Sequence, residues 1–217
     1  MNSLWRDFLQ ARSAHIDEAG QAHFPASTFP PVLALCDLSH LGLISVTGED
    51  AVTFLQGQFT NDVRQVGETH SQLSSHCTPK GRMLANFRLC KLDDTFFLQL
   101  PRPQLDFLLK RLRMYVLRAK VALADVSDSL ATLGLSGDQA PELLADFFSA
   151  PPEHDNELSR LGDLTAIRLA GATPRFQVMG PAVAMEPLWD AFAAKATLVN
   201  ADHWTLLDIR SGIPTIH

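Results

Sequence analysis

Cysteine is scarce in this chain, and the few present do not pair. Only Cys36, Cys77 and Cys90 occur, none at C-x-x-C spacing. An odd count, behind a start (Met1 to Gln10) without an apolar signal-type core, indicates free thiols in a reducing compartment. His76-Cys77 sets two metal-ligand types side by side. Neighbouring residues on a strand point to opposite faces, however, and do not easily share one metal. Long apolar runs are also missing. No stretch reaches the ~18 apolar residues of a membrane-spanning helix, so a cytoplasmic protein without a membrane partner is expected. Positive charge is not in excess: 18 Lys and Arg stand against 24 Asp and Glu, for a net charge of −6. That argues against direct nucleic-acid binding, which needs a basic surface. Three familiar fingerprints are absent: the P-loop G-x-x-x-x-G-K-[ST], the Rossmann glycine pattern and the nucleophile turn G-x-S-x-G.

What is present is an alternation of short apolar strands and amphipathic helices over 217 residues, which is enough to bury a core. Residues 4 to 15 have helical propensity, and Phe24 to Pro31 forms a Pro-rich connector. Leu41 to Val46 reads as a buried strand. Thr47 and Asp50 form a near capping box ahead of a helix carrying Ala51, Phe54 and Leu55, with Gly57 at its C-terminus. A meander comes next: strands at 70 to 77, 82 to 91 and 95 to 100, with turns at Pro79-Lys80-Gly81 and Asp93-Asp94. Pro101 and Pro103 open a helix whose Leu105, Leu108, Leu109 and Leu112 share one face, and Val116 to Ala124 reads as another strand.

The same grammar then returns. Ser136-Gly137-Asp138-Gln139-Ala140 echoes Thr47-Gly48-Glu49-Asp50-Ala51. A helix with Leu143, Leu144 and Phe147 precedes a loop over 149 to 163. Strands are expected at Leu164 to Leu169 and Phe176 to Met179, and a helix after Gly180-Pro181. A last helix runs from the N-cap Asn200 to Gly212. These elements predict an α+β protein built by duplication of about 90 residues, each half covering apolar surface the other leaves open. The boundaries expected are 1 to 36 for the N-terminal helix and connector, 37 to 130 for the first half and 131 to 217 for the second.

Several polar groups are candidates for a site. Lys80 and Arg82 flank Gly81 at a hairpin tip, either as solvated turn charge or as a carboxylate or phosphate site. Gln58, Asn61 and Asp62 form a polar run past a helix end. They make side-chain turns to the backbone or read the donors and acceptors of a heterocycle. Asn86, Arg88 and Cys90 alternate with core residues Ala85, Phe87 and Leu89, and face solvent or a cavity. Lys110, Arg111, Arg113, Arg118 and Lys120 form a local basic cluster, as a solvated face or a docking surface for an acidic protein or RNA.

Taken together, four blocks resemble the YgfZ family of folate-binding proteins, relatives of the glycine cleavage system T-protein. They are Thr47-Gly48-x-Asp50; Phe54-Leu55-Gln56-Gly57-Gln58-x-Thr60-Asn61-Asp62-Val63; Cys77-x-x-Lys80-Gly81-Arg82-Met83; and Ile209-Arg210-x-Gly212-Ile213-Pro214. The resemblance implies duplicated β-α-β halves of the T-protein folate-binding fold. It also implies tetrahydrofolate or a derivative as cofactor, with Gln58, Asn61, Asp62, Lys80, Arg82, Asn86 and Arg210 as candidate folate contacts. It points further to an accessory role in assembly or repair of iron–sulfur clusters, with iron–sulfur enzymes or assembly proteins as partners and tRNA modification as a process it would support. The family's K-G-C-Y-x-G-Q-E signature lies just beyond an Ile213-Pro214-x-Ile216 segment. A chain ending at His217 is therefore expected to be a fragment without the signature or the C-terminal β-barrel. Where the T-protein has its Asp pair, this chain has Ala85 and Asn86. Where the T-protein holds the pterin with Glu, it has Arg210, which accepts no hydrogen bond. Folate-dependent aminomethyl transfer is the alternative, and these substitutions weigh against it.

Overall fold

The computed structural model describes residues 1–25 and 31–216. It is α+β, with two open sheets, a two-stranded ribbon of β1 (His15–Ile16) and β2 (Ala22–His23), and six α-helices among the described residues. The chain forms two compact units, each discontinuous in sequence. The first combines Met1–His40 with Asp128–Ile213, and the second combines Leu41–Ser127 with the chain from Pro214 on.

The second unit holds a five-stranded sheet. Its strands are β4 (Leu41–Thr47), β5 (Gln72–Cys77), β6 (Met83–Leu92), β7 (Thr95–Pro101) and β8 (Ala122–Asp125), in the order β5-β6-β7-β4-β8. The helices α2 (Ala51–Gln56) and α3 (Arg102–Arg113) belong to the same unit. Leu105, Leu108, Leu109 and Leu112 of α3 are buried with Ile44, Val46, Phe87, Leu89 and Leu98 of the sheet. Each such side chain stabilises the fold by about 1.5–3 kcal/mol through burial.

The first unit repeats this plan. Its sheet runs β10-β11-β12-β9-β3-β13: β10 (Leu158–Leu161), β11 (Leu164–Leu169), β12 (Arg175–Gly180), β9 (Ala131–Gly137), β3 (Leu33–Asp37) and β13 (Thr197–Val199). Its core joins Trp5, Phe8 and Leu9 of α1 (Ser3–Gln10) to Met185, Leu188, Trp189 and Phe192 of α5 (Ala182–Ala193). Trp5 donates its indole N–H to the Asp37 carboxylate at 2.8 Å, so its one polar atom is satisfied inside the core. The helix α4 (Ala140–Ala145) has the same six-residue length as α2, and α5 the same twelve as α3.

The duplication contains a strand exchange. β3 immediately precedes β4 in sequence yet pairs with β9, and β8 precedes β9 yet pairs with β4; both pairings are antiparallel. Each exchanged strand passes against the turn that ends the central strand. At Gly48 (φ +118°) a Cβ would lie 2.1 Å from the Lys120 carbonyl oxygen. At Gly137 (φ +132°) it would lie 2.1 Å from that of Val32. Glycine is required at both places because the backbone is left-handed and a neighbouring carbonyl occupies the side-chain space.

Several sequence expectations are corrected. The first helix stops at Gln10, because Ser13 turns left-handed (φ 68°) and His15 starts a strand. The Pro-rich connector falls largely on residues 26–30, outside the described residues, and it leads into β3, a central strand of the first unit's sheet. The expected boundaries at 36/37 and 130/131 therefore do not coincide with the compact units. The near capping box does not form. Asp50 is the N-cap of α2 but makes no cap bond, since its carboxylate accepts the Lys120 backbone N–H at 2.7 Å. Gly57 ends α2 in the right-handed region, not the left-handed one. The strand expected from Val116 starts only at Ala122, after a turn with Leu117 at φ 46°. The loop expected over 149 to 163 contains β10.

The paired glycines give a direct stability test. Gly48→Ala and Gly137→Ala should each cost about 2–4 kcal/mol in urea unfolding, from left-handed backbone strain plus overpacking. Gly67→Ala, where nothing lies within 4 Å of the added Cβ, should stay within about 0.5 kcal/mol. Equal small effects at all three would refute the close approach.

Candidate functional site

The site candidates of the second unit converge on one edge of its sheet. Past α2 the chain folds back over β5, and Phe59 forms a bridge with His76. Thr60 donates its N–H to the Ser75 carbonyl at 3.0 Å, and Ser75 lies opposite Asn86 in the β5–β6 pair. The Gln58–Asp62 loop, Ser75 and Asn86 thus occupy three adjacent backbone tracks, and the hairpin tip with Lys80 and Arg82 continues the last two.

The loop is heavily tied down. The Val63 N–H donates to the Gln56 side-chain oxygen at 2.8 Å, and the Gln72 amide donates to the Asp62 carbonyl at 3.3 Å. Asp62 caps the short 3-10 turn Val63–Gln65, accepting from the Arg64 N–H at 3.1 Å. It also accepts the Arg64 guanidinium at 2.8 and 3.0 Å, and that bond holds its carboxyl below the usual range. Asn61 is exposed, and its side-chain oxygen accepts the Thr60 hydroxyl at 2.8 Å. Asp62 therefore does the turn-capping work that short acidic residues do in loops. The side chains of Gln58 and Asn61 retain hydrogen-bonding capacity.

His76 organises this edge. Its ring is buried. Nδ1 lies 3.0 Å from the Gln58 carbonyl, and Nε2 accepts from the Arg111 Nε at 3.0 Å. A guanidinium only donates, so Nε2 is the acceptor and Nδ1–H the donor. Burial pushes the His76 pKa down; the Gln58 carbonyl opposes this and the Arg111 charge adds to it. Sequence reasoning missed this contact, because the two residues lie 35 positions apart. Of the basic cluster, Arg113 also bonds the Leu123 carbonyl at 2.8 Å, and Lys120 pairs with Glu49 at 2.7 Å.

At the hairpin tip Gly81 is left-handed (φ 80°), as the turn requires. The turn is closed by Thr78 N–H to Arg82 C=O at 2.8 Å and by Arg82 N–H to the Thr78 hydroxyl at 3.1 Å. Lys80 and Arg82 are exposed, and their side chains have no ion-pair or hydrogen-bond partner among the described residues. Beside them lies an open groove of about 350 Å³, lined by Arg82, Met83, Leu84, Pro103, Gln104, Phe107 and Ile216. A second groove of about 350 Å³, in the first unit, carries Glu142, Asp146 and Lys195, with Lys195 paired to Asp146 at 3.1 Å. The first groove suits an anion and the second does not.

Asn86 is engaged with the chain itself: its amide donates to the Pro214 carbonyl and accepts from the Ile216 N–H. On the same strand face Arg88 and Cys90 are buried, so that face is not the solvated surface the alternation allowed. Burial pushes the Cys90 thiol up to about 12, which leaves it unreactive. Arg210 belongs to the other unit, exposed in the last turn of α6 (Ala201–Arg210). No group of three or more His, Cys, Asp or Glu suited to a metal occurs among the described residues. No described helix is long and apolar enough to cross a membrane.

Residues 31–181 match the family model "GCVT N-terminal domain". Among curated proteins the chain is 32% identical over 195 residues to "tRNA-modifying protein YgfZ" of Photorhabdus laumondii, covering 90% of this chain and 58% of that protein. It is 30% identical to the protein of the same name from Yersinia pseudotuberculosis, covering 89% and 60%. The chain thus spans about three fifths of the length of these relatives. Among solved structures, glycine cleavage system aminomethyltransferase T from Bartonella henselae aligns over 99% of this chain and 63% of its own, with TM-score 0.79 at 18% identity. Heterotetrameric sarcosine oxidase from Corynebacterium sp. U-96 aligns over 76% of this chain and 86% of its own, with TM-score 0.54 at 14% identity. These two likenesses show the fold.

The His76 contact predicts a titration. By NMR, the His76 ring should titrate below the ordinary midpoint of about 6.5, and Arg111→Ala should move that midpoint upward. The folded-state pKa is depressed, so the stabilisation is complete above about 6.5 and is lost as pH falls through the folded value. A midpoint at or above 6.5 in the unmodified protein would contradict the geometry.

Proposed function

Because the chain belongs to the GCVT N-terminal domain family, as a YgfZ-type member related to T-protein, we propose that it is the folate-binding part of a cytoplasmic accessory protein. The observation that supports binding is a pair of exposed cations, Lys80 and Arg82, without a partner among the described residues, with Arg82 lining an open groove. A carboxylate tail such as the glutamate of folate suits a mobile ammonium beside a planar guanidinium. Gln58 and Asn61 supply both donors and acceptors for a heterocycle. Arg210 donates only, so it suits an anion and not the pterin N–H groups.

The relatives' name supports a part in tRNA modification. Assembly or repair of iron–sulfur clusters in client enzymes is the route we assign to it, with the clients as protein partners. The net charge of −6 favours such indirect action over direct RNA contact. Aminomethyl transfer is the second reading, and two observations weigh against it. Ala85 is a core residue, and the amide of Asn86 is bound to the chain's own backbone. No carboxylate stands at either position to handle a proton, a function worth about 10²–10⁴ in rate.

Titration calorimetry with tetrahydrofolate tests binding. Lys80→Ala with Arg82→Ala should weaken it by about 1–3 kcal/mol. The melting temperature should barely move, since exposed turn charges contribute little to stability. A pteroate lacking the glutamate should bind equally to both proteins. No heat at millimolar folate with the protein folded would refute the assignment. An equal loss for both ligands would show that the turn does not read the tail.

A further inference from the structure

We propose that Asn86 is a positioning residue that clamps the segment Pro214–Ile216 against β6 and so fixes one wall of the groove beside Lys80 and Arg82. This goes beyond the folate assignment and does not depend on it. Asn86 offers an NH2 donor group and a carbonyl acceptor on one planar amide, the donor–acceptor pattern that a neighbouring strand offers in a β-ladder. Both are used on one stretch of backbone: Nδ2 donates to the Pro214 carbonyl, and Oδ1 accepts the Ile216 N–H at 3.1 Å. The contact spans about 130 residues of sequence, and among the described residues no strand pairing of the segment exists to replace it. Ile216, so held, lines the groove with Arg82, Met83 and Leu84.

The chemistry is specific to an amide. An ionised Asp at this position could accept from Ile216 but would face the Pro214 carbonyl oxygen with a second acceptor. Protonated Asp regains the pattern, because its O–H donates and its C=O accepts. Ala loses both bonds at every pH.

Amide hydrogen exchange by NMR on the 217-residue chain tests this. The protection factor of Ile216 is read at pH 7 and pH 4, with the Leu98 amide in β7 as a monitor of the intact fold. Asn86→Ala should lower Ile216 protection at least tenfold at both pH values, with Leu98 unchanged. Asn86→Asp should match Asn86→Ala at pH 7 and recover toward the unmodified protein at pH 4. Unchanged protection in Asn86→Ala would overturn the clamp, as would an Asp variant that tracks Ala at both pH values. Should an Asn86 variant fail to fold, Ile216→Pro removes the N–H from the other side. The side-chain amide protons of Asn86 should then exchange faster than in the unmodified protein, and no change there would equally overturn the proposal.

Discussion

Two strand pairings hold this architecture together, β4 with β8 and β3 with β9. In each, a strand that precedes one central strand in sequence completes the sheet of the other. The crossing is tight enough to require a left-handed glycine at each junction, Gly48 and Gly137. The first unit's sheet therefore takes β3 from ahead of β4, while all five strands of the second unit's sheet lie within residues 41–125. The first unit is discontinuous for this reason, with breaks at 40/41 and 127/128, and the second joins Leu41–Ser127 to the chain from Pro214 on.

This constraint positions the candidate site. The turn at Gly48 launches α2, and α2 delivers the Gln58–Asp62 loop onto the edge strand β5. β5 in turn orders the hairpin that carries Lys80 and Arg82. Every link is a short-range hydrogen bond or a buried contact, from Gln56 to Val63, from Thr60 to Ser75, and from His76 to both Gln58 and Arg111. The edge is internally hydrogen-bonded, while Lys80 and Arg82 have no partner among the described residues. Exposed charges without a partner among the described residues suit an anion.

Much of this was legible in the residues. The 3.6-residue periodicity of Leu105, Leu108, Leu109 and Leu112 gives α3, and the hairpin turns are set by Gly81 and Asp93. The repeat of a hydroxyl-Gly-acid turn signalled the duplication. The exchange was not legible, since Leu33 to Asp37 carries the same apolar signal whichever sheet it joins. Nor were the true roles of Asp50 and Asp62. Short acidic side chains serve as caps, as ion-pair partners or as ligands to a neighbouring backbone N–H, and only tertiary structure selects among these. Arg111 read as part of a basic surface because its partner, His76, is distant in sequence. Asn86 read as a ligand contact because its own-chain partners lie near residue 216.

The account stands or falls on where a reduced folate binds. Amide chemical-shift mapping with 5-formyltetrahydrofolate measures this directly. Shifts centred on Thr78–Leu84 and on Gln58–Asp62, saturating with ligand, are the predicted result. Shifts centred on the acidic groove of Glu142 and Asp146, or none at millimolar ligand, would contradict it.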